Sequence, residues 1–226
     1  MDKNTAQNLV DTYKHWHHKF EVFPGVVTQG SYEPGFMLNK LNLDQQLTGV
    51  KILDVGPSDG YFSLQLARRG AEVTAIDYRR KEDHGFSAME KITGVKVRYE
   101  QCNLYDLTPE KFGLFDVVLF LGVLYHLPDM VKALNILRSV CTRTMFLETE
   151  AEHNLSPGVP AARYYEADTL AGDYTNFWAP NGACVEAMCR DAGFKPVRSE
   201  AWGRRYLLEA ATVEPSLKHK WAYGKL

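Results

Sequence analysis

Residues 52–62 read "ILDVGPSDGYF": an apolar run that breaks into a turn rich in glycine, proline and serine, followed at once by an aromatic pair. A strand that ends in small residues and hands over to a helix places backbone N–H groups beside the positive end of a helix dipole, and both favour a polar or anionic ligand. The spacing decides which ligand. In a dinucleotide-binding turn the second glycine admits the pyrophosphate and the third lets the helix pack closely. Counting from Gly56, those places hold Ser58 and Tyr61, and no Gly-Lys-Ser/Thr follows to make a phosphate-cradling loop. What remains is D-x-G-x-S-x-G, from Asp54 to Gly60, with Asp77 closing the next apolar run. That separation is close to the ~20 residues by which a second-strand carboxylate reaches a ribose whose other end lies at the first turn. A cofactor with a ribose and no pyrophosphate fits best.

Working outward, β-like and helix-like runs alternate. "VKILDV" (50–55), "EVTAIDY" (72–78), "VKVRYEQC" (95–102), the almost wholly apolar "FDVVLFLG" (115–122) and "RTMFLETE" (143–150) read as strands. Helical spacing falls between them, over 60–69, 83–92 and 129–140, and again over 180–192. "PVRSEAW" and "RRYLLEAATV" follow with no helix between them, so an antiparallel hairpin is expected at the sheet edge. The expected fold class is α/β: a doubly wound, Rossmann-like, seven-stranded sheet, whose ligand crevice lies at the carboxyl ends of its strands. Residues 1–49 read as a helix, a turn-rich stretch and another helix, an N-terminal lid in the same domain as the 50–226 core; the aromatic-rich segment 151–179 is expected to overhang the crevice on the substrate side.

Composition bounds the rest. With 226 residues, 45% of them hydrophobic, the chain can bury a substantial core. A formal charge of −2 offers no global attraction to a phosphate backbone. The N-terminus lacks the apolar run of a signal peptide and no stretch of ~18 apolar residues occurs, so a cytoplasmic protein without a membrane partner is expected. Cys102, Cys141, Cys184 and Cys189 form no C-x-x-C pair and read as reduced thiols.

The turn "DVGPSDGYF", the "AID" ending the second strand and "LGVLYHLPD" ending the fourth resemble class I S-adenosylmethionine (SAM) methyltransferases. Within that group, "KILDVGPSDGYFSLQLARRGAEVTAID", "LGVLYHL", "ETE", "RYYEAD" and "NFWAPNGACVEAMCRDAGF" occur in the order of the tRNA wobble-uridine carboxymethyltransferase and methyltransferase family. The resemblance implies that Gly56, Ser58 and Gly60 line the methionine end of SAM, that Asp54 meets its amino group and that Asp77 holds the ribose hydroxyls. It implies that Asn103 and Leu104 meet the adenine and that Leu121 faces the sulfonium, with S-adenosylhomocysteine as product.

Two residues beyond the fourth strand carry the chemistry in this reading. His126 has the residue type of a general base near neutral pH, and Tyr125 beside it would orient substrate or sulfonium; the alternative is that His126 braces its loop. Lys19, Arg163, Tyr164 and Trp178 are the candidate substrate-binding residues. His15 and His18 stand at i, i+3, a spacing that sets two rings on one helical face, yet no carboxylate or cysteine is fixed beside them by spacing, and no metal is expected. The expected activity is methyl transfer to an oxygen or nitrogen of a small molecule. The alternatives are a tRNA wobble-uridine modifier using SAM or carboxy-SAM, and a non-catalytic SAM-binding module.

Overall fold

The computed structural model describes residues 1–13 and 15–222. By its internal contacts the chain divides into two compact units, Met1–Asn103 and Leu104–Leu226. Together they supply the seven strands of one mixed sheet.

The first unit opens with α1 (Lys3–Asp11), started by the Asp2 carboxylate, which accepts the Thr5 N–H at 2.8 Å. A short antiparallel hairpin follows, β1 (Glu21–Phe23) with β2 (Val26–Val27), and then α2 (Gly35–Leu41). Three parallel strands carry the unit's share of the sheet, β3 (Lys51–Val55), β4 (Glu72–Asp77) and β5 (Arg98–Gln101), in the order β3-β4-β5. The crossovers are α3 (Tyr61–Arg68) and α4 (Phe86–Thr93). Ile52, Leu53 and Ile76 of the strands and Leu64, Leu66 and Met89 of the helices are fully buried, as the facing apolar sides of a helix-covered sheet must be.

The second unit contains α5 (Pro109–Phe112), β6 (Phe115–Leu121), α6 (Met130–Val140) and β7 (Cys141–Glu150). A two-stranded ribbon, β8 (Ala162–Tyr164) with β9 (Trp178–Pro180), precedes α7 (Gly182–Ala192). Then come β10 (Phe194–Trp202), β11 (Arg205–Thr212) and α8 (Leu217–Ala222). Its strands run β10-β11-β7-β6, with β10 and β11 as the expected antiparallel hairpin and β11 antiparallel to β7. Among the described residues no helix is long and apolar enough to cross a membrane.

Three sequence expectations change. The "HWHH" segment is not helical: α1 stops at Asp11 and residues 15–18 run on without helix, His18 bridging to Tyr32, so His15 and His18 share no helical face. The third strand begins at Arg98 rather than Val95, because the Val97 N–H is taken at 3.0 Å by the buried Glu90 carboxylate instead of a neighbouring strand. Segment 151–179, to which the sequence assigns no strand, contains β8, three residues being too few to show alternation.

Candidate functional site

Within the first unit, the turn between β3 and α3 is built on left-handed backbone. Gly56 has φ +69°, Ser58 +52° and Gly60 +85°. Glycine is tolerant of such angles and serine is not, so Ser58 holds a conformation that costs an L side chain about 1 kcal/mol or more. The Gly56 N–H bonds Ile76 O at 2.9 Å and the Gly60 N–H bonds Pro57 O at 2.9 Å, which fixes the curl of the turn. At Gly60 an added Cβ would come within 2.6 Å of Met89 Cε and 2.8 Å of the Phe86 ring. The glycine is therefore required for α4 to pack against the turn, and a valine there would test folding before it tested ligand binding.

Asp54, at the buried end of β3, accepts the Ser63 hydroxyl at 2.6 Å. Burial pushes its carboxyl up to about 6, against the Ser63 hydrogen bond and the nearby His18. The unfolded chain ionises this group near 3.8, so between those values the native protein holds a proton that the unfolded chain has lost. Stability from this site accordingly falls as pH rises from about 4 to about 6 and stays lower above, by about 3 kcal/mol at most. Asp54→Asn should raise stability by about 1–3 kcal/mol at pH 8 and leave it nearly unchanged at pH 4. Denaturant titrations at the two pH values check this; an equal change at both would remove burial of the charge as the cause.

Asp77 ends β4 and is buried. Its carboxylate takes the Arg79 backbone N–H at 3.0 Å and the Arg79 side chain through Nε (3.2 Å) and Nη2 (3.1 Å). A carboxylate has roughly four acceptor positions, so about one is left for a hydroxyl. Asn103 is exposed at the end of this unit, and Lys19, also exposed, pairs with Glu33 at 3.0 Å.

Asp59 is the residue here that sequence reasoning missed. It is buried, accepts the backbone N–H groups of His17 (2.8 Å) and His18 (2.9 Å), and binds His18 Nδ1. It ties the "HWHH" segment to the turn, which explains why that segment is not helical. An acid between Ser58 and Gly60 was the available signal.

In the second unit, Leu104 is buried at the start of a 3₁₀ turn, Leu104–Asp106, and Leu121 ends β6 half-buried. Gly122, at φ +71°, sends its N–H to Glu148 O at 2.9 Å and leads into a second 3₁₀ turn, Leu124–His126. The Tyr125 ring lies under the Arg205 guanidinium, 5.0 Å from its centre, and burial raises the Tyr125 phenol against the opposing pull of Arg205. Arg205 forks onto Glu148, through Nε to Oε1 and through Nη2 to Oε2 at 2.6 Å, and reaches Glu150 at 3.2 Å. Burial alone would lower Arg205, yet the Glu148 hydrogen bonds and charge hold it above its ordinary value. Neither Arg205 nor its role was legible in advance; "ETE" placed two acids on one strand face and nothing more.

His126 Nδ1 lies 3.1 Å from Thr175 O and 3.0 Å from Thr175 Oγ1, and that hydroxyl donates to Asp173 at 2.7 Å. With the hydroxyl proton committed to Asp173, Nδ1 must carry the hydrogen and donate, which leaves the basic lone pair of a neutral ring on Nε2. The brace and the base readings therefore describe the two nitrogens of one ring. Tyr164 and Trp178 meet edge to face at 5.0 Å across β8 and β9, and Trp178 Nε1 donates to Pro128 O at 3.2 Å, beside the His126 loop. Arg163 pairs with Glu152 at 3.1 Å. Among the described residues no group of three or more His, Cys, Asp or Glu is arranged to hold a metal ion.

A methyltransferase domain family matches residues 53–144. The ubiquinone biosynthesis O-methyltransferase of Xanthomonas campestris pv. campestris is 33% identical over 199 residues, an alignment covering 85% of this chain and 78% of the relative. The enzyme of the same name from Vibrio vulnificus is 34% identical over 119 residues, and there the chain spans about half of the relative, 48%. Among solved structures, the N-terminal domain of EvdMO1, determined with S-adenosylhomocysteine (SAH) and D-fucose, superposes with a TM-score of 0.67 at 19% identity, covering 94% of this chain and 97% of that one. Magnesium protoporphyrin IX methyltransferase from Synechocystis, solved with SAM, gives 0.59 at 20% identity over 79% of this chain and 77% of that one.

Proposed function

From membership in the family of SAM-dependent methyltransferases that includes the ubiquinone biosynthesis O-methyltransferases, to which this chain belongs, we propose that it transfers a methyl group to an oxygen of a hydroxylated aromatic small molecule. The observation that carries the reading is the pair of buried acids, Asp54 and Asp77, at the carboxyl ends of adjacent parallel strands with the left-handed Gly56–Gly60 turn following the first. That set fits SAM: a carboxylate for its ammonium group at one end and another for its ribose at the other, with left-handed backbone between. SAM, when bound, supplies an electrophilic methyl group.

The chain's own residues do the rest. Asp54 holds the amino group, Asp77 takes a ribose hydroxyl, and the Tyr125–Arg205–Glu148 cluster fixes the loop carrying His126. His126 Nε2 accepts the proton of the substrate hydroxyl as the oxygen becomes the nucleophile, and Tyr164 and Trp178 offer ring faces to an aromatic acceptor. Orientation of this kind is worth ~7–11 kcal/mol in a displacement. The four cysteines form no C-x-x-C pair, which suits a reducing compartment, and we propose a cytoplasmic location.

The test is methyl transfer from labelled SAM to a panel of phenols, amines and carboxylates; a label that appears on phenols first supports the reading, and one that appears only on amines or carboxylates contradicts it. The wobble-uridine alternative rests on motif order alone and predicts salt-dependent tRNA binding, which the same preparation can be assayed for. Asp77→Ala should weaken SAH binding by ~1.5–3 kcal/mol, because hydrogen bonds to a charged group in a partly dry cleft are costly to lose. Calorimetry showing unchanged affinity would remove Asp77 from the cofactor site.

A further inference from the structure

His84 precedes α4 and is 5% exposed, yet its Nδ1 is buried without a hydrogen-bond partner. A buried polar atom left unpaired is costly to a folded protein, so such an atom needs an explanation. The hydrogen bonds around it define what it lacks. Nε2 lies 3.1 Å from the Tyr99 hydroxyl, and that hydroxyl donates its own proton to Arg79 O at 2.9 Å. Tyr99 can only accept from the ring, so Nε2 carries the hydrogen and Nδ1 is a bare acceptor. Burial and the charge of Arg79 keep the ring neutral, lowering its pKa, while the acids Asp77, Asp59 and Asp83 pull the other way. The orphan is thus a lone pair awaiting a donor.

Its surroundings identify the donor. Through the Tyr99 hydroxyl the ring is tied to Arg79 O, two residues past Asp77 at the end of β4, and Arg79 in turn holds the Asp77 carboxylate. Two residues on, Phe86 packs where a Cβ on Gly60 would sit, so the segment that carries His84 also abuts the β3–α3 turn. Asp77, with three N–H groups of Arg79 upon it, has room for about one hydroxyl, whereas a ribose presents two. We propose that His84 is a cofactor-binding residue whose Nδ1 accepts the second ribose hydroxyl of the adenosyl group, so that Asp77 and His84 divide the diol between them. The inference rests on the SAM reading above and extends it to a residue that no sequence motif marks.

The experiment is calorimetry on the full chain with SAH and with its 2′-deoxy and 3′-deoxy analogues. For the wild type, both deoxy analogues should bind ~10-fold more weakly than SAH, one for each acceptor. His84→Leu should bind SAH ~10-fold more weakly and lose discrimination against one deoxy analogue while keeping it against the other. His84→Asn, which can return an oxygen near the Nδ1 position, should recover part of both. Should His84→Leu fail to fold, Tyr99→Phe serves in its place: without the acceptor that pins Nε2–H, the ring is free to take the other tautomer and SAH affinity should drop several-fold. A folded His84→Leu with wild-type affinity and full discrimination overturns the proposal and leaves the SAM reading standing. So does Tyr99→Phe with unchanged affinity when the leucine variant does not fold. Wild-type protein that binds no SAH overturns both.

Discussion

His126→Ala is expected to lower kcat by about 100- to 10,000-fold while leaving SAH affinity nearly unchanged, the range over which a positioned proton acceptor acts. The expectation follows from the tautomer. Thr175 O and Oγ1 hold the Nδ1 hydrogen, and Asp173 holds the Thr175 hydroxyl, so the ring is oriented and its basic nitrogen fixed before substrate arrives. A protonated ring accepts nothing, so activity should be lost in acid. Thr175→Val keeps the carbonyl and removes the hydroxyl; it should cost far less, because one Nδ1 partner survives. Tyr125→Phe separates a role for the phenol from packing beneath Arg205. These measurements use the acceptor found in the labelled-SAM panel. An alanine variant with normal kcat and an unshifted pH profile would leave His126 as a brace, with transfer driven by alignment alone.

Arg205→Met should destabilise the protein by about 3–5 kcal/mol, the loss expected when one partner of a buried ionic cluster is removed. The Glu148 side chain is 6% exposed and that of Glu150 14%, and Arg205 is the guanidinium that bridges both. Truncation strands the buried Glu148 carboxylate, while Glu150 keeps a second guanidinium, Arg204, whose Nε meets its Oε1 at 2.5 Å. Arg205→Lys should recover only part of the loss, since an ammonium cannot fork onto both oxygens of Glu148. Adding Glu148→Gln to Arg205→Met should return stability by removing one stranded charge, so the double-mutant cycle reads coupling directly. Denaturant melts of the wild type, Arg205→Met, Glu148→Gln and the double variant close the cycle, with Arg205→Lys measured beside them; additive effects in the cycle would show that the cluster is not a unit. Arg205 also covers the Tyr125 ring, so even folded variants should turn over slowly.

The sheet was legible because its signals are local. A short, almost wholly apolar run rich in β-branched and aromatic residues, such as Phe115–Leu121, reads as a strand covered on both faces, and caps such as Asp129 and Asn181 mark where α6 and α7 begin. The β3–α3 turn was legible for the same reason: left-handed backbone favours glycine, and Gly56 and Gly60 stand at two of its three left-handed positions, the third being Ser58. What escaped depends on partners far apart in sequence. Residues 15–18 carry helix-compatible side chains, but Asp59, more than forty positions away, captures two of their backbone N–H groups. Arg205 and Glu148 lie 57 positions apart and meet only because β11 runs antiparallel to β7. His84 gave no sign at all, for its significance lies in an unpaired nitrogen that exists only once Tyr99 and Arg79 are in place.

The most direct test of the central claim is a calorimetric titration of SAH into the full chain and into the Asp54→Asn, Asp77→Ala double variant. The account predicts saturable binding at one site per chain for the wild type, and loss of that binding in a double variant that remains folded. No saturable binding to the wild type, or undiminished binding to the folded double variant, would contradict it.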